Sequence, residues 1–223
     1  MKPLWYVDFS VAAGVSARGP SGSSIAAVAM FLRTVHGAAS AQGLRFASAL
    51  PGLRCGAHAH PGTVLRVFTQ ERSQCESLAD AIEASPMCAS AAVVSRVRAV
   101  PSGIEQSVSY RRVRTPSRKS AQRVGGEERR LANIKRCDSM PYLRMFSRST
   151  GQQFSLRVEP TYPEQLPSVE CEPDAYGFCV RERPFSLPLI PLQPAPWELL
   201  RAEATHTRRA QASAAAGHVA VDG

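Results

Sequence analysis

Leu4-Trp5-Tyr6-Val7-Asp8-Phe9-Ser10-Val11 opens the segment, residues 4–100, whose reading decides the fold. Aromatic and β-branched residues dominate these eight positions and predict a strand. Residues 12–22 are rich in Gly, Ser and Pro and read as a loop, after which Ser23 and Ser24 stand where a helix takes its N-cap. From Ile25 to Ala41 the apolar residues Ile25, Val28, Ala29, Leu32 and Val35 recur at the spacing of one helical face. Leu44–Leu50 and Thr63–Thr69 predict two more strands. Gln74–Ala84 predicts a second helix with Leu78, Ala79 and Ile82 inward, and Ala91–Val100 a fourth strand.

The predicted order is βαββαβ, the ferredoxin-like pattern of an α+β protein. After Pro101 the character changes. A basic segment leads to short β-like pieces at Tyr142–Phe146, Gln153–Val158 and Tyr176–Val180, joined by proline-rich connections. Residues Pro184 to Pro196 carry too many prolines for a central strand. From Leu200 onward the chain is Ala- and Arg-rich without an aromatic residue, the composition of a disordered tail or a marginal helix. The expected division is therefore 1–101, 102–191 and a disordered 192–223.

The formal charge of +9 points to a polyanionic partner. Most of it is local. Residues 111–136 hold ten basic side chains, namely Arg111, Arg112, Arg114, Arg118, Lys119, Arg123, Arg129, Arg130, Lys135 and Arg136, against Glu127 and Glu128. Gly125-Gly126 interrupts this run, each glycine costing a helix about 1 kcal/mol relative to alanine. A loop followed by a short helix from Glu127 to Arg136 is one consistent reading, with the register of the arginines left open. The six cysteines are irregularly spaced without a CxxC pair, so reduced thiols and a cytoplasmic setting are expected. Cys55-Gly56-Ala57-His58-Ala59-His60 lacks a second ligand pair at suitable spacing and reads as a polar loop, with no metal or cofactor expected. Lys2 and the apolar residues after it loosely mimic an export signal, but Asp8 interrupts the run. No stretch approaches the roughly 18 to 20 uninterrupted apolar residues of a membrane span, so no membrane partner is expected.

Three features carry chemistry. His36 lies towards the end of the first predicted helix and can exchange a proton near neutral pH; a histidine there also suits the helix dipole. Ser147-Arg148-Ser149-Thr150-Gly151-Gln152-Gln153-Phe154 gathers hydroxyls, an arginine and a glycine in a turn that leads into a strand. Such a turn can hold a phosphate or a ribose hydroxyl, or serve only as a polar hairpin loop. Phe154 can stack a base or pack. Tyr176-Gly177 offers a hydroxyl that can orient a neighbouring histidine or serine, though a tyrosine before glycine is also an ordinary structural pair.

Together with the basic segment, these residues resemble the CRISPR-associated endoribonucleases of type I-F systems, the Cas-six family in its Csy-four form. Residues Met140 to Phe154 are similar to that family's Ser-x-Ser-Thr-Gly-Gln-x-Phe block. Tyr176-Gly177 followed by Pro184-Phe185-Ser186-Leu187-Pro188 is similar to its C-terminal ending, and Phe31–His36 falls where it carries its catalytic histidine. Leu4–Phe9 resembles its first strand, and Ser109-Tyr110-Arg111-Arg112-Val113 looks like the lead-in to its arginine-rich helix. The resemblance spans most of residues 3–190.

The resemblance implies a ferredoxin-like domain with the catalytic histidine and a smaller C-terminal α/β domain that grips RNA. It implies metal-independent cleavage of precursor CRISPR RNA at the base of the repeat stem-loop, by attack of the ribose 2′-hydroxyl on the adjacent phosphate. His36 then assists proton transfer, Ser147 holds the attacking ribose, and Tyr176 fixes the geometry. Arg148, Ser149, Thr150, Gln152 and Phe154 join the ten basic residues in contacting RNA. Among those, Arg129, Arg130, Lys135 and Arg136 suit phosphates along the stem, and Arg114 and Arg118 suit bases near the cut. The implied partners are the repeat stem-loop, bound by a monomer, and the other subunits of a type I-F interference complex. A hairpin-binding subunit that does not cut, and an unrelated basic RNA-binding or ribosome-associated protein, remain as alternatives.

Overall fold

β1, Trp5–Val11, lies inside a five-stranded antiparallel sheet because both of its faces are apolar enough to be covered. The computed structural model describes residues 1–13, 22–114, 127–146 and 151–192. After β1 come α1 (Gly22–Gln42), β2 (Ala47–Ala49), β3 (Val64–Thr69), α2 (Arg72–Glu83), the short α3 (Pro86–Ala89), β4 (Ala92–Val94) and β5 (Arg98–Ala99). The strand order is β2-β3-β1-β4, with β5 also on β1. The predicted fourth strand over 91–100 is thus two short pieces, and the break has a cause. Ser95 Oγ accepts the Asp8 backbone N–H at 2.9 Å where a continuous ladder would run.

Alternation sorts the two faces of this sheet. Thr69, paired with Trp5, turns its hydroxyl to Cys75 of α2 at 3.0 Å, so the Val7–Phe9 face meets the helices. On that side Val28, Phe31, Leu32 and Val35 of α1 and Leu78 and Ile82 of α2 are fully buried. The other face carries Tyr6 and Phe68 opposite one another, and Asp8 opposite Arg66. Arg66 donates to both carboxylate oxygens of Asp8, at 2.6 and 2.8 Å, and to the Ile190 carbonyl at 2.5 Å.

By length and composition alone, Ser24–Gln42 is apolar enough to cross a membrane, at a mean hydropathy of 1.2, although Arg33, Thr34 and His36 interrupt its apolar residues. Its apolar face, with Val28, Phe31, Leu32 and Val35, is packed in the core, which accounts for so apolar a helix.

β6 (Ser107–Val113), α4 (Glu127–Asp138), β7 (Tyr142–Phe146), β8 (Gln153–Thr161) and β9 (Leu187–Pro188) follow. They make a second antiparallel sheet of order β7-β8-β6-β9, so the proline-bearing β9 sits at an edge. Ser109–Val113 lies in strand β6, because Val108 and Tyr110 are buried and Arg111, Arg112 and Val113 pair with β8, and α4 is the next described element after it. One expectation is corrected. Tyr176–Val180 is mainly a turn, touching β6 through one bridge between Arg111 and Cys179. The described helix runs over Glu127–Asp138, and Gly125-Gly126 lie outside the described residues. Both sheets belong to one compact unit, Met1–Ile190, within which α1 packs on β7.

Candidate active site

The edge of each sheet leaves backbone groups that need partners. One turn, Asp174–Phe178, supplies them to both sheets. Ser48 of edge strand β2 donates its N–H to Gly177 O at 2.7 Å and its hydroxyl to Tyr176 O at 2.9 Å. Just after the turn, Cys179 accepts the Arg112 N–H at 2.9 Å and donates to Tyr110 O at 3.0 Å. The turn is built by Asp174, whose Oδ1 accepts the N–H groups of Tyr176 (2.9 Å) and Phe178 (3.1 Å). Gly177 has φ +83°, and a Cβ there would stand 2.5 Å from Ser48 Oγ, so only glycine allows this approach.

The turn delivers the Ala175 carbonyl to His36. Their Nδ1···O distance is 2.7 Å. A carbonyl only accepts, so Nδ1 carries a hydrogen, and in the neutral ring Nε2 keeps its lone pair. The His36 ring lies 4.5 Å from the Tyr176 ring, tilted by 37°, and the Phe154 ring is 6.1 Å beyond Tyr176. Arg112 closes the group from the second sheet. It donates to Asp174 Oδ2 at 3.0 Å, and its guanidinium lies 5.3 Å from the Tyr176 centroid and 6.0 Å from that of Phe154. Four predicted site residues, His36, Tyr176, Phe154 and Arg112, are therefore together, drawn from α1, the turn, β8 and β6.

His36 lies between two clefts. One, of about 340 Å³, runs past Phe46 and Arg45 to Asp174 and Arg183. The other, of about 650 Å³, is bounded by Arg33, Met87 and Phe146 and also reaches Tyr176. Ser147, Arg148, Ser149 and Thr150 lie outside the described residues, but Phe146 immediately before them lines this second cleft. Gln152 is exposed just ahead of β8.

A basic groove of about 650 Å³ adjoins the first cleft through Asp174 and Arg183 and includes Arg111, Arg112, Arg114 and Arg136. Arg111 and Arg136 are not free cations. Both donate to Glu159, one to each carboxylate oxygen. Burial raises the Glu159 pKa, but the hydrogen bonds from Arg136 and Arg111 outweigh it and hold the carboxyl below the ordinary range. Arg130 and Lys135 lie on α4 with Arg136, and of Arg129 only the backbone is described. Arg118, Lys119 and Arg123 fall outside the described residues.

Residue-type reasoning missed Asp174, Ser48, Arg181 and Arg183. The Asp-x-Tyr-Gly order at 174–177 is itself a turn signal and was there to be read. The Arg181 and Arg183 pair follows it directly and lines the basic groove.

His60, in the loop read as polar, accepts the Gly62 N–H at Nδ1 (2.9 Å), which leaves Nε2 to donate to Ser24 Oγ at 3.1 Å. No cluster of three or more metal-ligating side chains occurs among the described residues.

Among curated proteins no sequence matches the chain. A family model described as a CRISPR-associated protein (Cas_Csy4) matches residues 28–182, which takes in His36, the basic groove except Arg183, and the turn at Tyr176. The chain belongs to this Cas_Csy4 family of CRISPR-associated proteins.

Proposed function

We propose that the protein is an endoribonuclease that binds the stem-loop of a CRISPR repeat and cleaves precursor CRISPR RNA at the base of the stem. It then stays on the mature guide RNA as a subunit of a type I-F interference complex in the cytoplasm. The observation that carries this reading is the His36–Ala175 hydrogen bond, which leaves Nε2 as a proton acceptor beside Tyr176 and a basic groove. A histidine in that state can take the proton of a ribose 2′-hydroxyl. The 2′-oxygen then bonds to the adjacent phosphorus, the bond to the 5′-oxygen of the next nucleotide breaks, and a 2′,3′-cyclic phosphate remains. The RNA carries its own nucleophile, so the scheme needs no metal ion. Ser147 holds the attacking ribose, Tyr176 fixes the histidine's setting, and Ser149, Thr150 and Gln152 contact the same strand.

The β2-β3-β1-β4 order, with helices after β1 and β3, supports the ferredoxin-like reading of residues 1–101. The second sheet and α4 form the part that holds the hairpin, residues 102–191. A-form RNA buries its base edges in a deep groove, so the stem is gripped by its phosphates along the arginine-lined groove.

His36→Ala is the test. The cleavage rate of the cognate repeat hairpin in EDTA is expected to fall by about 10²- to 10⁴-fold, with hairpin affinity intact. A wild-type protein that binds the hairpin without cutting it is a hairpin-binding subunit and not a nuclease. No preference for the repeat hairpin over random RNA sinks both readings.

A further inference from the structure

The two clefts beside His36 differ in chemistry. The smaller one continues through Asp174 and Arg183 into the basic groove. The larger is walled on one side by Met30, Arg33, Thr34 and Gly37, one face of α1 by helical spacing. Facing them are Phe146 and Met87, 44% and 65% exposed. Arg33 has no carboxylate within ion-pairing distance among the described residues, unlike Arg111, Arg112 and Arg136.

An uncompensated guanidinium opposite an exposed aromatic ring and a thioether is nucleotide chemistry. The cation suits a phosphate, the ring stacks a base, and Ser85 lines the same space. We infer that the larger cleft seats the single nucleotide immediately 3′ of the scissile phosphate, with its base on Phe146 and its 3′-phosphate at Arg33. This rests on the hairpin-cleaving reading above. With the stem along the basic groove, the strand reaches His36 through the smaller cleft. The nucleotide that carries the departing 5′-oxygen then lies on the far side of the histidine, in the larger one. The subsite holds the leaving group and not the retained product.

The test compares two uncleavable repeat hairpins whose attacking nucleotide is 2′-deoxy. One ends at that nucleotide with a 3′-phosphate in the place of the scissile one. The other carries one more, 2-aminopurine with a 3′-phosphate. Wild-type protein is expected to bind the longer RNA about tenfold tighter and to quench its fluorescence, as one stacked base and one phosphate contact require. Phe146→Ala is expected to lose the quenching and most of the tenfold preference, and Arg33→Ala part of the preference. Both should bind the shorter hairpin like wild type. Phe146→Leu keeps the apolar volume and should lose the quenching too, which covers the case of a misfolded alanine variant. Unchanged preference and quenching in these variants overturn the subsite, as does equal wild-type affinity for the two RNAs. Failure of wild-type protein to bind either hairpin overturns the hairpin reading, and the subsite falls with it.

Discussion

Asp8–Arg66 and Asp174–Arg112 are both arginine–aspartate pairs largely shielded from water, with side-chain exposures of 10% and 2% in the first and 8% and 15% in the second. They direct their remaining hydrogen bonds differently. In the first pair both carboxylate oxygens meet the guanidinium, which also donates to the Ile190 carbonyl and lies 4.8 Å from the Tyr6 ring centroid. It joins paired positions of β1 and β3 and touches neither cleft beside His36. In the second pair only Oδ2 meets the arginine, while Oδ1 orders the turn that carries Ala175 to His36. The guanidinium lies over Tyr176 and Phe154. The same two residue types thus close one site on itself and, in the other, hold the turn that meets the His36 ring. Their neighbours, and not their charge, make the difference.

Removing the cation of the closed pair should produce the largest change. Arg66→Ala leaves the Asp8 carboxylate buried without its partner and is expected to cost about 3–5 kcal/mol in urea unfolding. Cleavage per folded molecule should stay at the wild-type level. The double variant Asp8→Leu/Arg66→Met removes both charges and should recover most of the stability, since a buried pair is often no better than packed apolar residues. A loss below about 1 kcal/mol in Arg66→Ala would put this pair with surface ion pairs and erase the contrast.

The open pair should lose activity before stability. Asp174→Ala deprives two backbone N–H groups and Arg112 of an acceptor, for about 1–3 kcal/mol. It also frees the Ala175 carbonyl, and a displacement of His36 by 1 Å is worth about 100-fold in kcat. KM should barely move. Asp174→Asn keeps the Oδ1 acceptor and should restore most of the rate, marking Asp174 as a positioning residue. If the asparagine variant is as slow as the alanine one, the charge on Arg112 and not the turn sets the histidine. Gly177→Ala tests the turn from its other end. Its Cβ would meet Ser48 Oγ at 2.5 Å with φ at +83°, so a destabilisation of about 1–3 kcal/mol and slower cleavage are expected together.

How much was legible depended on the range of the signal. α1, α2 and β3 could be read within about three residues because their periodicity is local and their apolar faces are the ones buried. β7 matched at both ends because Leu143 and Met145 alternate with exposed neighbours. β6 was not legible. Its buried Val108 and Tyr110 are followed by Arg111 and Arg112, and a basic run looks helical until its carboxylate partners are known. Those partners, Glu159 and Asp174, lie 48 and 62 residues away. The site divides in the same way. His36, Phe154 and Tyr176 could be singled out by residue type and context, but the acceptor that selects the tautomer of His36 is a backbone carbonyl 139 residues distant. A backbone carbonyl has no sequence signature, so the geometry that sets the tautomer of His36 had to come from the fold.

Glu159 offers the smallest effect and the sharpest question, because it ties two of the groove's arginines to the second sheet. Glu159→Gln should cost about 1 kcal/mol, since Arg136 is half exposed and solvent screens the pair. The sign of its pH dependence follows from the direction of the shift. The folded-state pKa lies below the ordinary 4.5, so the pairing contributes fully above 4.5 and is lost as pH falls through the depressed value. Wild type should lose more stability than Glu159→Gln across that acid window and behave alike above it. Binding gives the second readout. With the carboxylate gone, Arg111 and Arg136 are free for phosphates, so the hairpin should bind more tightly at low salt, with a salt dependence steeper by about one charge. Weaker binding would mean that Glu159 holds the two guanidiniums in the geometry RNA needs. The groove would then share the logic of the Asp174 turn, in which a carboxylate serves the site by fixing a neighbour.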